Sequence, residues 1–283
     1  MDAALTLPTY TAIRYVVPLR EGGSLPAVLE VEDGGLFVAK FRGAGQGAKT
    51  LLAELIVGLL ARHAGLSVPE VALIDLDASF GRTERDPEIQ DILKGSRGLN
   101  VGLRYLDGAF NYDPLAAASF ITPAFAADLV WLDAYTTNID RTPRNPNLLL
   151  WDRRVWLIDH GATLYFHHNW DAVDGARLQA PFPPIKNHVL LSLAGDLEEA
   201  DVRMTSRLDE DVLRQLLALL PDELLMDAPE GQSPPFASAE ANRAAYFDYL
   251  AGRLQAPHAF LDEAIRAQEA QRQEAPQTLP YRR

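Results

Sequence analysis

Residues 138–161 constrain the fold more than any other stretch of the chain. Two apolar runs, Leu148-Leu149-Leu150-Trp151 and Val155-Trp156-Leu157-Ile158, flank Asp152-Arg153-Arg154 and predict a tight antiparallel hairpin of buried strands. Polar groups stand at both open ends. Asn138-Ile139-Asp140-Arg141-Thr142-Pro143-Arg144-Asn145 leads into the first strand, and Leu157-Ile158-Asp159-His160-Gly161 closes the second. A hairpin sets its open ends side by side, so Asp140, Asn145 and Asp159 are expected to converge. The loop alone also reads as a plain turn, because Pro fixes φ and Asn tolerates the left-handed region. Asp159 at the far end of the hairpin favours a functional reading.

An Asp, an Asn five residues on and a second Asp fourteen beyond it form a layout suited to phosphoryl transfer of the protein-kinase type. One Asp takes or orients the proton of an attacking hydroxyl. The Asn and the second Asp hold Mg²⁺ against nucleotide phosphates. Asp140 is therefore the candidate base, with Asn145 and Asp159 as candidate metal ligands.

Such a site needs a cation upstream. Lys40 ends the apolar run Phe37-Val38-Ala39-Lys40-Phe41, and a Lys there is costly unless paired or used. Glu54, early in the next predicted helix, is its natural partner. Lys40 would hold phosphates and Glu54 would orient it. Gly22, Gly23 and Ser24, one hairpin earlier, are candidates for a phosphate-covering loop, and a plain turn fits them equally. Gly43-Ala44-Gly45-Gln46-Gly47-Ala48-Lys49-Thr50 nearly matches a P-loop, with Ala48 where the motif needs Gly. A P-loop domain also needs a parallel β/α series downstream, which the later segments do not offer, so a connection between the Lys40 strand and the Glu54 helix is expected instead.

The order of segments predicts an α+β fold of two lobes. Strands are expected at 12–17, 27–31, 36–41, 68–75 and 99–106, with helices at 50–64 and 86–94. A helix at 123–135 precedes the Asp140 loop, and helices follow near 186–198, 209–220, 238–255 and 258–272. Residues 1–106 form the expected β-rich N-terminal lobe, 107–273 the mostly helical C-terminal lobe, and 274–283 a polar, mobile tail. The 283 residues suffice for a buried core. A net charge of −13 opposes general nucleic-acid binding and binding to anionic membranes. The absence of Cys excludes disulfides and thiol chemistry. With no basic leader and no apolar run near ~20 residues, a cytoplasmic protein is expected. His160, His167 and His168 lack the spacing of a zinc site, and His160 is expected to pack beside Asp159.

Taken together, Phe37–Phe41, Ala53-Glu54-Leu55, Gly65-Leu66-Ser67-Val68-Pro69, Asn138–Asn147 and Leu157–Gly161 resemble the HipA-like kinase family. This bacterial branch of the kinase superfamily shares loop features with phosphatidylinositol kinases. The resemblance implies ATP and Mg²⁺, with Asp140 as base, Asn145 and Asp159 on the metal and Lys40 on the phosphates. It implies a protein Ser/Thr substrate, and the chain is similar to stand-alone members, for which toxin activity is not implied. Two departures are the poor glycine loop and His160, where kinases usually carry Phe. The alternatives are a small-molecule or lipid kinase, and a pseudokinase that binds a nucleotide or a partner without catalysis.

Overall fold

The structure is a computed structural model that describes residues 6–19, 25–32, 35–45, 47–82, 84–228, 231–255 and 258–274. Gly22, Gly23 and Ser24 lie outside the described residues, as does the tail from 275 onward.

Apolar runs in the first third form β1 (Thr9–Pro18), β2 (Ala27–Val31) and β3 (Leu36–Lys40). Helix α1 (Ala48–His63) follows, then β4 (Val71–Leu76), helix α2 (Pro87–Gly95) and β5 (Gly98–Arg104). The five strands close into a barrel in the order β1-β2-β3-β5-β4. Every pairing is antiparallel except β1 with β4. Successive side chains of a strand point to opposite faces, which sorts β4 cleanly. Ala72, Ile74 and Leu76 fill the barrel with Leu29, Phe37 and Ala39, whereas Val71 and Leu73 face the main core. Among the described residues this arrangement has no central parallel sheet of the P-loop kind.

Helix α1 is buried around nearly its whole girth, from Leu51 to Ala61. A helix apolar on every side is a core helix rather than a surface one. It packs on β4 and β5 and also against two later helices, so it joins the barrel to the rest of the molecule.

Beyond the barrel come β6 (Phe110–Asn111), α3 (Pro114–Ala117), α4 (Pro123–Tyr135), β7 (Leu148–Trp151) and β8 (Arg154–Leu157). The remainder holds α5 (Gly175–Leu178), α6 (Leu197–Thr205), α7 (Glu210–Ala218), α8 (Asp222–Leu225), α9 (Ala239–Arg253) and α10 (Ala259–Glu274). Helices α7 and α8 pack against α1. Thr122 caps α4 by accepting from the Phe125 N–H, and the helix is buried from Ala126 to Tyr135. It packs against α6 and α10 and carries the chain into the Asp140 loop.

β7 and β8 pair antiparallel, Leu148 opposite Leu157 and Leu150 opposite Val155. Their turn is two residues, Asp152 and Arg153, with φ of 47° and 58°. Positive φ at both positions marks the mirror-image turn that matches strand twist, made here without glycine.

The helix expected over 186–198 is not formed. The segment is two short 3₁₀ turns, Pro183–Asn187 and Leu191–Leu193, before α6 begins at Leu197. Side chains compete with the helix here. His188 Nδ1 accepts from the Leu190 N–H at 3.0 Å, and Asp196 accepts from Glu198 and Glu199 as an N-cap, which starts a new helix there. Gly195 abuts Pro123, and a Cβ on it would lie 3.1 Å from the Pro123 ring.

Candidate active site

Lys40 is the last residue of β3, paired with Val101 of β5. Its Nζ donates to Glu54 Oε2 at 2.7 Å and to Asp159 Oδ1 at 2.5 Å. Lys40 is 8 % exposed and Glu54 fully buried. Burial opposes the Lys40 charge, but the two carboxylates outweigh it and raise its pKa to about 12. Asp159 responds in the opposite sense: burial would raise it, and Lys40 holds it below the ordinary carboxylate range. Burial pushes Glu54 up against the pull of Lys40.

Glu54 Oε2 also accepts the backbone N–H of His160 at 2.8 Å. One carboxylate oxygen on α1 thus fixes both the β3 cation and the backbone just after Asp159. That backbone is bent: Asp159 has φ of 54°, in the left-handed region. Strain of this kind persists only where surrounding contacts impose it. Gly161 is required by close approach, since a Cβ there would meet Thr50 Cγ2 at 2.6 Å.

The second cluster surrounds Asp140. Its Oδ2 accepts from Asn145 Nδ2 at 2.7 Å and Asn147 Nδ2 at 3.1 Å, and its N–H donates to Asn138 Oδ1 at 3.0 Å. A carboxylate only accepts, so the Asn145 NH₂ must face it and leaves Oδ1 as an acceptor. Among the described residues the hydrogen bonds of Asn145 stay within its own loop, to Asp140 and Thr142. Backbone bonds place this loop beside the Asp159 segment. Ile139 N–H donates to Ala162 O at 3.3 Å, and Ile158 N–H to Asn147 O at 3.1 Å.

A buried scaffold that sequence reasoning missed holds the two clusters. Arg141 is 1 % exposed. Its Nε donates to Asp133 Oδ2 at 2.5 Å, its Nη1 to Asn147 O at 2.6 Å, and its Nη2 lies 3.3 Å from His160 Nδ1. Asp133, fully buried on α4, also accepts from Asn138 Nδ2 at 3.0 Å and His188 Nε2 at 2.9 Å. Burial alone would raise Asp133, yet Arg141 and His188 hold it at about 2. One signal was available beforehand: the two Asp, Asp128 and Asp133, inside the otherwise apolar 126–135 helix need partners.

His160 is fully buried among these groups. Burial and Arg141 push its pKa down to about 3. His167 and His188 are buried and pushed down as well, each chiefly by burial. Among the described residues no group of His, Asp and Glu has the layout of a metal site.

These histidines set a pH dependence. A folded-state pKa below the unfolded value of about 6.5 gives stability that is full above pH 6.5 and lost as pH falls toward the folded value. For His160, whose folded pKa is about 3, the slope approaches about 1.4 kcal/mol per pH unit in that window, and His167 and His188 act in the same direction. Urea midpoints are therefore expected to drop steeply between pH 6.5 and 4. A flat profile there would show the three rings to be solvated.

The family model of HipA-like kinases matches residues 13–235. The chain belongs to the HipA-like kinase family. The crystal structure of the proinflammatory kinase CtkA from Helicobacter pylori is similar, with a TM-score of 0.55 at 14 % identity. The match covers 94 % of this chain and 99 % of CtkA. At that identity the likeness concerns the fold, which is mixed α/β and kinase-like. No curated protein matches the chain. No helix among the described residues is long and apolar enough to cross a membrane.

Proposed function

We propose that this HipA-like kinase transfers the terminal phosphoryl group of ATP, with Mg²⁺, to a Ser or Thr hydroxyl of a protein. The observation that carries the reading is the pairing of Lys40 with Glu54 and Asp159, beside a loop in which Asn145 faces Asp140. In this reading residues 1–106 are the nucleotide lobe and 107–273 the catalytic lobe, in a cytoplasmic enzyme. Bound ATP and Mg²⁺ would supply the phosphoryl group and neutralise charge on its oxygens. An Asp carboxylate and an Asn amide oxygen are hard donors that suit Mg²⁺, which keeps water and phosphate as its other ligands. Asp159 and Asn145 are the residues that would hold it.

Each side chain then has one task. Lys40, kept charged, is aimed by Glu54 and meets phosphate oxygens through charge-assisted contacts of roughly 1.5–3 kcal/mol. Asp140 orients the acceptor hydroxyl and takes its proton. Pro143, Arg144 and Asn145 beside it are exposed, which leaves room for an acceptor carried on a macromolecule. Gly22, Gly23 and Ser24 would cover the phosphates.

Thermal melts with Mg·ATP, followed by transfer of labelled phosphate, test the reading. Saturation at about 100 times Kd adds about 2.7 kcal/mol, a rise of roughly 5 °C for a chain of this size. Lys40→Met and Asp159→Ala should each lose most of that rise, and Glu54→Gln less, because it orients rather than contacts. A parent protein whose melt ignores Mg·ATP and which transfers no phosphate would refute the proposal.

A further inference from the structure

His160 shows a hydrogen-bond imbalance that the roles above leave unexplained. Arg141 Nη2 lies 3.3 Å from His160 Nδ1. A guanidinium has donors only, so Nδ1 must accept and the ring proton must sit on Nε2. That Nε2–H is buried and has no partner among the described residues. Glu54 Oε1, equally buried, also has none. One orphan is a donor and the other an acceptor, and both belong to residues already joined by the bond from the His160 N–H to Glu54 Oε2. The ring also lies against the same helix: its Cδ2, adjacent to Nε2, stands 3.8 Å from where a Cβ on Gly58 would be, one turn beyond Glu54.

Unsatisfied buried polar groups cost about 1–3 kcal/mol each, so two complementary ones on residues already joined through the His160 N–H call for a shared partner. They make no direct hydrogen bond, and a water bound between them would satisfy both. We propose that His160 is a positioning residue, with one buried water carrying its Nε2–H to Glu54 Oε1. Glu54 would then be held at both oxygens, Oε2 by Lys40 and the backbone, Oε1 by the ring through water. The ring in turn is held by Arg141, which grips the Asp140 loop at Asn147 O. His160 so links the aim of Lys40 to the position of Asp140. A Phe at this position could fill the space but make neither bond.

The catalytic side of this inference rests on the proposed phosphotransfer. The tautomer does not, and it separates failure of one from failure of the other. Long-range ¹H–¹⁵N NMR of the full chain should show His160 protonated on Nε2, its signals assigned by their loss in His160→Asn. Protonation on Nδ1 would overturn the proposal whether or not the protein turns over ATP. For activity, His160→Asn keeps an acceptor near the Nδ1 position toward Arg141 but is too short to carry the far donor. His160→Gln instead places a donor near the Nε2 position, where it can reach the water. We expect His160→Asn to fold and lose about 10–100-fold in kcat, as outlying partners of catalytic groups do. Its KM for Mg·ATP should move less than about threefold, and His160→Gln should recover to within about fivefold of the parent. Parent-like kcat in His160→Asn, no recovery in His160→Gln, or loss of the fold in His160→Asn would each overturn the positioning role. A parent that fails to transfer phosphate while keeping the Nε2–H tautomer would sink the kinase reading and leave the hydrogen-bond assignment standing.

Discussion

Asp140→Ala is expected to cut phosphoryl transfer by about 10²–10⁴-fold while Mg·ATP affinity stays within a few-fold of the parent. The two effects part because Asp140 belongs to the acceptor side of the site. It touches Asn145, Asn147 and Asn138, and none of its hydrogen bonds reaches Lys40 or Asp159. Removing the carboxylate leaves the Lys40–Glu54–Asp159 cluster as it is. The cost to the fold should be modest. Asn145 is exposed and its amide can turn to water, whereas Asn147 is 8 % exposed and loses a buried acceptor worth about 1–3 kcal/mol. Labelled-phosphate transfer and nucleotide titration on the same preparation make the comparison. Turnover within tenfold of the parent, or an ATP affinity lost as fully as in Asp159→Ala, would remove Asp140 from the base role.

Much of this site could be read in the sequence because its chemistry is local. Asp140, Asn145 and Asp159 lie within twenty residues, on a hairpin whose apolar strands mark themselves. Lys40 and Glu54 were legible for a related reason, since a charge inside an apolar strand needs a partner close by. The barrel was not legible as closed. Its five strands announce themselves singly, but closure depends on the β1–β4 pair, which joins Thr9 to Leu73 without a local signal. The all-round burial of α1 was half visible. Leu51, Leu52, Leu55, Ile56, Leu59 and Leu60 mark a broad apolar face in the sequence, and burial of the rest of the girth follows from α7 and α8 packing on it. The scaffold of Asp133, Arg141 and His188 was hidden because its members come from three separated segments. The 186–198 segment misled because its Leu spacing imitates a helix, while the bonds made by His188 and Asp196 break it.

Arg141→Met is expected to be among the most destabilising single changes, at about 3–5 kcal/mol or roughly 5–8 °C in Tm. Met keeps the apolar stem and removes every donor. Asp133, fully buried, would lose its closest cation while keeping Asn138 and His188. The carbonyl of Asn147 and Nδ1 of His160 would lose donors in the same step. In the parent His188 is neutral, because burial outweighs the pull of an Asp133 already paired with Arg141. Without Arg141, protonating His188 becomes the way to compensate the buried charge, so its folded pKa should rise above the unfolded value. A raised pKa contributes stability that is present at low pH and lost as pH rises. The deficit of Arg141→Met should therefore be largest near pH 8 and shrink toward pH 6. Adding Asp133→Asn should recover part of the loss, because the unpaired charge is gone along with its partner. Denaturant midpoints of parent, single and double variants at both pH values decide the matter. A single variant within about 1 kcal/mol of the parent at pH 8, or a deficit that grows on acidification, would mean that Arg141 does not hold the buried charge.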